Sequence, residues 1–332
     1  MMNIIEKYLL YIRDIRRYSA RTVQIYENVL REFVLFASEG DLSPKDSEIL
    51  DYLKANVIRS YEVNMLDSDP PKTSRTVNLH LSVLSGFCRY LIKEGLLTSN
   101  PVSMITRPKM EDRLPSFYKK ESMERYFETT DWFASAEELK AFSQDWNTDN
   151  GKLSYQRRLA RVVIATLYAL GLRRSELIGL NVSDLDFGRK VVKVRGKGDK
   201  MREIPLVSSL SEEILLYLKA VEVMCGGQRS LKEPLFVTYS GSRLYPVYVD
   251  RLVKSELGGV NGLTGKKSPH VLRHSLATEL MNEEADLNSV KELLGHSSLA
   301  ATQVYTHSSV ARLKDIYKRA HPRAKNGGKY GD

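Results

Sequence analysis

Apolar positions in the first hundred residues recur at helical spacing: Ile5, Tyr8, Leu9 and Ile12, then Val23, Tyr26, Leu30, Phe33 and Val34. A third helix is expected to start after Ser43-Pro44, where a serine cap and a first-turn proline are both favoured. The strongest pattern runs from Thr73 or Ser74 to Glu94, with Val77, Leu81, Leu84, Phe87, Cys88 and Leu91 on one face and Gly95 placed to end it. Four short helices without strands predict an all-α domain over 1–105. Pro101, Pro108 and Pro115 then break the periodicity, and Arg107, Lys109 and Arg113 make 106–116 a basic interdomain linker.

Residues 129–155 carry both tryptophans, Trp132 and Trp146, many acids and a polar NTDNGK run, and read as a helix followed by a surface excursion. Tyr155 to Leu170 is a helix with Leu159, Val162, Val163, Thr166 and Leu167 inward, and GLRRSELIGL turns into a shorter one. KVVKV (190–194) and MREIPL (201–206) are β-type runs joined by RGKGDK, whose glycines permit a hairpin turn. A helix over Ser208–Val223, a strand at PLFVT (234–238) and a helix from Pro269 to Asn282 follow, then two short helices flanking Gly295. Val310, Leu313, Ile316 and Tyr317 make a terminal helix over 309–320 before a polar tail, 321–332. The fold class expected is mainly α in two domains, the second (117–320) holding a small antiparallel β-sheet.

A length of 332 residues suits two domains, and 42% hydrophobic with 27% charged residues describes an ordinary globular chain. Two cysteines, Cys88 and Cys225, are too few for a disulfide framework or a thiolate zinc site. No run reaches the roughly 18 apolar residues of a membrane span, and MMNIIEKYLLYIRDIRRY lacks a signal-peptide core, so a cytoplasmic location is expected. The net charge of +9 is uneven: residues 120–150 hold 3 basic and 8 acidic side chains, residues 151–332 hold 30 and 18. A polyanion is the partner such a distribution suits.

Four of the six histidines, His270, His274, His296 and His307, fall between 270 and 307. His270 and Arg273 are three apart and share a helical face, with His274 able to join it. Metal binding by histidines at i and i+4 is one reading, but neither a metalloprotease glutamate nor a third ligand accompanies them. Their company points elsewhere: Arg173 in a helix-initiating turn, Lys197 at a hairpin tip, and Tyr305 nine residues after His296.

YALGLRRSELIGL (168–180), KVRGKGDKMREIPL (193–206), SPHVLRHSLATELM (268–281) and LLGHSSLAATQVYTH (293–307) resemble, in order, the four active-site motifs of the tyrosine recombinases. SRTVNLHLSVLSGFCRYLIKEGLLTSNP (74–101) is similar to the SAM-like helical core-binding domain of that family, and the texture is closest to its Xer-type branch. The resemblance implies a DNA breaking–rejoining catalytic domain whose site is Arg173, Lys197, His270, Arg273, His296 and Tyr305, working without metal, nucleotide or other cofactor. It implies double-stranded DNA as partner and a homo- or hetero-tetramer on two DNA sites, the terminal helix docking into a neighbouring subunit. It further implies a second tyrosine recombinase and a septal DNA translocase as co-workers in chromosome dimer resolution. The long 129–155 segment leaves room for a mobile-element integrase or invertase of the same family; a non-cleaving DNA-binding protein is the reading from another class.

The chemistry suits these residue types. Attack on an anionic phosphodiester adds charge to its oxygens, and two guanidiniums, Arg173 and Arg273, match that geometry. A phenol with a pKa of about 10 needs a proton acceptor, so one of His270 and His296 serves Tyr305 as base while the other donates to a phosphoryl oxygen. Lys197 would protonate the 5′ oxygen as it leaves. Arg75, Asn78 and His80 on the polar side of the 73–94 helix, with Arg107, Lys109 and Lys200, are candidate DNA contacts.

Overall fold

The computed structural model describes residues 2–41, 44–110, 117–130, 136–196, 199–260, 263, 265–282, 290 and 293–295. They form two compact units, 1–113 and 114–332. Among them no helix is long and apolar enough to cross a membrane.

In the first unit α1 (Ile4–Leu10) runs into a π-helical turn, Tyr11–Ile15, followed by α2 (Ala20–Ala37), α3 (Asp46–Tyr52), α4 (Ala55–Asp67), α5 (Ser74–Lys93) and a 3-10 turn, Pro101–Met104. Side-chain caps set the starts: Ser19 accepts from the Thr22 amide and Thr73 from the Thr76 amide. Helix α3 begins at Asp46, after Ser43-Pro44 as expected, with the Glu48 carboxylate accepting the Lys45 amide at 2.8 Å. Helix α4 is a fifth helix, absent from the sequence-based expectation, and buries Ile58, Tyr61, Glu62 and Met65. Its asparagines and β-branched residues are weak helix formers, so packing decides its conformation. His80 is also corrected: it is buried and bonds the Tyr61 hydroxyl at 2.9 Å, and does not join Arg75 and Asn78 on a polar face.

The second unit comprises α6 (Lys120–Thr129), α7 (Ala136–Asp145), α8 (Asp149–Leu170), α9 (Arg174–Gly179), β1 (Leu185–Asp186), β2 (Val191–Arg195), β3 (Met201–Pro205), α10 (Ser208–Cys225), α11 (Pro246–Gly258) and α12 (Pro269–Asn282). Every side chain of α8 from Leu159 to Leu170 is buried, so this helix is the axis on which α7, α10, α11 and α12 pack. The buried stretch includes Arg161, which meets Glu213 of α10 at 3.1 Å and donates to the Phe127 and Thr130 carbonyls at the end of α6.

The three strands pair antiparallel in the order β1-β2-β3, with Val194 opposite Arg202 and Val192 opposite Ile204. PLFVT is not a strand. Pro234 and Val237 make only isolated bridges, and the Val237 amide is taken by the Tyr217 hydroxyl at 3.0 Å, where a neighbouring strand would otherwise accept it. Within 129–155 the expected helix is α7, but the polar run that follows it is no surface excursion, since α8 already starts at Asp149. Phe142 on α7 is buried and stacks on Tyr155 with ring centroids 6.4 Å apart, and Thr148 in the polar run caps α8. Helix α11 was not anticipated, and the 269–282 helix has the expected bounds. The terminal helix (309–320), the tail (321–332), Trp132 and the linker's 111–116 lie outside the described residues.

Candidate active site

Four chain segments converge beside the end of α8. Gly171 ends that helix with φ +58°, and a Cβ there would lie 2.7 Å from Leu294 and 2.9 Å from Leu276, so a glycine is required by both backbone and packing. The turn it makes puts Arg173 at the N-cap of α9 and Glu176 one turn inside.

Glu176, with its side chain 3% exposed, is the hub. Its carboxylate accepts the Arg173 amide and guanidinium, each at 2.8 Å. Arg202 on β3 approaches through both terminal nitrogens, at 3.0 and 2.8 Å. Arg273 on α12 lies 4.0 Å away, donates to the Gly171 carbonyl at 2.7 Å and also bonds the Leu294 carbonyl. Arg173 donates to Gly295 O at 3.0 Å, and Arg202 to Leu293 O at 3.0 Å. Three guanidiniums thus surround one carboxylate, and backbone carbonyls rather than further acids hold them.

Burial pushes the Glu176 carboxyl up, but hydrogen bonding and attraction to Arg202, with the Arg173 bonds, outweigh it and hold it below the ordinary carboxylate value. Burial, then the charge of Arg173, lowers Arg273 to about 10, which leaves it charged at neutral pH. His270 lies at the exposed edge of α12. Burial first, then the charges of Arg174, Arg273 and His274, lower its pKa against the opposing pull of Asp250, so the neutral imidazole prevails at pH 7. Arg174 pairs with Asp250 across α9 and α11.

Of the six residues expected in the site, Arg173, Arg273 and His270 are described and lie together; Lys197, His296 and Tyr305 are outside the described residues. The segments flanking Lys197 and His296 are nevertheless in place, since Gly196 and Gly295 both abut the arginine cluster. Sequence reasoning missed Glu176 and Arg202. Arg202 had a signal: it shares strand parity with Ile204, and both are buried.

In the first unit, Arg75, Asn78 and Arg107 line one shallow recess with Leu79, Ser82, Pro108 and Met110. Asn78 donates to Pro108 O at 2.9 Å and Arg107 to Ser82 Oγ at 2.9 Å, so this part of the expected linker is tied to α5. Lys109 and Lys200 are exposed.

Arg173, Arg202 and Arg273 gathered on Glu176, with His270 on the same helix as Arg273, form a cationic cluster at the end of α8 in an α-rich unit. Residues 134–312 match the family model described as the phage integrase family, and residues 5–95 match the N-terminal SAM-like domain of phage integrases. The chain belongs to the phage integrase family of tyrosine recombinases. Among curated relatives it is 33% identical over 331 residues to tyrosine recombinase XerC of Chlorobaculum parvum, covering 96% of this chain and 94% of that one. It is 34% identical over 332 residues to XerC of Bacillus licheniformis, covering 98% of each. Among solved structures, the XerH site-specific recombinase bound to a palindromic difH substrate after cleavage aligns with a TM-score of 0.60 at 21% identity, covering 95% of this chain and 83% of that one; at this identity the likeness is one of fold. The protein is a site-specific tyrosine recombinase of the Xer type.

Proposed function

We propose that this enzyme cleaves and rejoins DNA through a 3′-phosphotyrosyl intermediate formed on Tyr305, with Arg173 and Arg273 clamping the scissile phosphate. The observation that carries this reading is the convergence of the two arginines on Glu176 and on the Gly171, Leu294 and Gly295 carbonyls, which fixes their guanidiniums before DNA arrives. Arg173, with a side chain 32% exposed, is the member that reaches solvent and hence phosphate.

His270 accepts the phenolic proton, a role its depressed pKa supports, and His296 donates to a phosphoryl oxygen. As the phenolate oxygen bonds phosphorus, the bond to the 5′ oxygen breaks and Lys197 protonates that oxygen. The new ester keeps the phosphodiester's bond energy, so a 5′ hydroxyl can reverse the step. The family's catalytic residues supply all of this without metal or nucleotide.

The substrate is double-stranded DNA. Arg75, Asn78, Arg107, Lys109 and Lys200 contribute contacts to it, and its affinity falls with salt. We infer that it acts in chromosome dimer resolution in the cytoplasm, as a tetramer on two DNA sites together with a second tyrosine recombinase and a septal DNA translocase; its likeness to tyrosine recombinases named XerC supports the recombinase part of this reading.

Covalent trapping tests the reading. Nicked duplexes from the host's candidate recombination sites are mixed with wild type or Tyr305→Phe, with EDTA present, and resolved on a denaturing gel. A shifted protein–DNA band lost only in Tyr305→Phe is expected. Retention of the band in the variant refutes the nucleophile, and a band abolished by EDTA refutes the metal-independent chemistry.

A further inference from the structure

Arg202 has no role in the chemistry above, yet its guanidinium bonds Glu176 and the Leu293 carbonyl and lies against Gly196 and Gly295. It sits on the inward face of β3, 6% exposed, where Ile204 on the same face is aliphatic. Burying a guanidinium is costly, and a well-packed apolar side chain would serve stability at least as well. What the arginine adds is its fork: two bonds to Glu176 and a third to the Leu293 carbonyl.

The two glycines against that fork precede Lys197 and His296 in the chain. A Cβ on Gly196 would lie 3.5 Å from Arg202 Nη1 and 3.8 Å from Glu176 Oε1. One on Gly295, whose φ is +62°, would lie 3.1 to 3.4 Å from the Arg202 side chain. The Gly196 amide donates to Lys200 O at 2.7 Å, closing the hairpin just below its tip. Gly196, the residue that precedes Lys197 in the chain, thus lies beside Arg202.

We propose that Arg202 is a positioning residue that locks the base of the β2–β3 hairpin, and through it Lys197, against the Glu176–Arg173 pair and the 293–295 segment. The inference rests on the reading of Lys197 as the acid that protonates the leaving 5′ oxygen.

Single-turnover cleavage of the nicked duplexes used for trapping is compared with cleavage of the same duplexes carrying sulfur in place of the bridging 5′ oxygen. A thiolate leaves without being protonated, so sulfur relieves a defect in the acid but not one in the phosphate clamp. Arg202→Met and Arg202→Lys are expected to cut the oxygen substrate about 30-fold or more slowly and the sulfur substrate within about 3-fold of wild type. Arg202→Lys keeps a cation beside the buried Glu176, so its unit folds even where Arg202→Met does not, but one ammonium cannot bond Glu176 and Leu293 together. Equal slowing on both substrates overturns the inference. Lys197→Ala is the reference: relief by sulfur there with none in the Arg202 variants means the inference alone fails. Equal slowing in Lys197→Ala means that the acid reading fails and the inference falls with it.

Discussion

In the proposed mechanism His270 is the base, a role open to it only while neutral, and its surroundings favour the neutral form. Burial and three neighbouring cations, Arg174 from α9 and Arg273 and His274 from its own helix, oppose protonation, while Asp250 on α11 favours it. Removing Arg174 takes away one cation and leaves Asp250 without its ion-pair partner, so both changes raise the pKa of His270. The acid limb of the cleavage profile of Arg174→Ala should therefore move to higher pH, with the rate falling more at pH 6 than at pH 8; a superimposable profile would show that His270 does not set that limb. At this scale residue type was legible where motif and chemistry agree, as for Arg173 and Arg273. Glu176 was not, because a glutamate in the first turn of a helix reads as an ordinary capping residue, and the three arginines it gathers are 3, 26 and 97 positions away along the chain.

Helix α5, with its continuous apolar face, and α12, opened by Pro269, were legible to within a residue or two. Helices held by tertiary contacts were less so. Helix α4 has weak formers on its exposed side, and α7 is mostly polar apart from Phe142, whose burial depends on Tyr155 in another helix. The hairpin was read correctly, but PLFVT was misread because β-propensity does not show that Tyr217 will take its amide. If α7 belongs to the core, Phe142→Ala should destabilise the second unit by about 3 kcal/mol. Calorimetry checks this: a midpoint within about a degree of wild type would mean that α7 is a surface appendage.

On the proposed reading two units on one chain divide the work, the first supplying DNA contacts around α5 and the second the chemistry. The apolar stripe over 310–317 lies beyond the catalytic motifs, and deletion of 309–332 is expected to spare DNA binding and to lower strand exchange. Mobility-shift and recombination assays on the truncated chain decide it, and unchanged recombination would mean that the segment docks on its own unit. The arginine hub has one more consequence, for anyone handling the protein without DNA. Three guanidiniums against a single carboxylate leave two positive charges, which the proposed reading assigns to holding a tetrahedral phosphate. Sulfate and inorganic phosphate are tetrahedral oxyanions too, so on that reading buffers containing them are expected to compete with the scissile phosphate, and affinities measured in chloride and in sulfate at equal ionic strength are expected to differ.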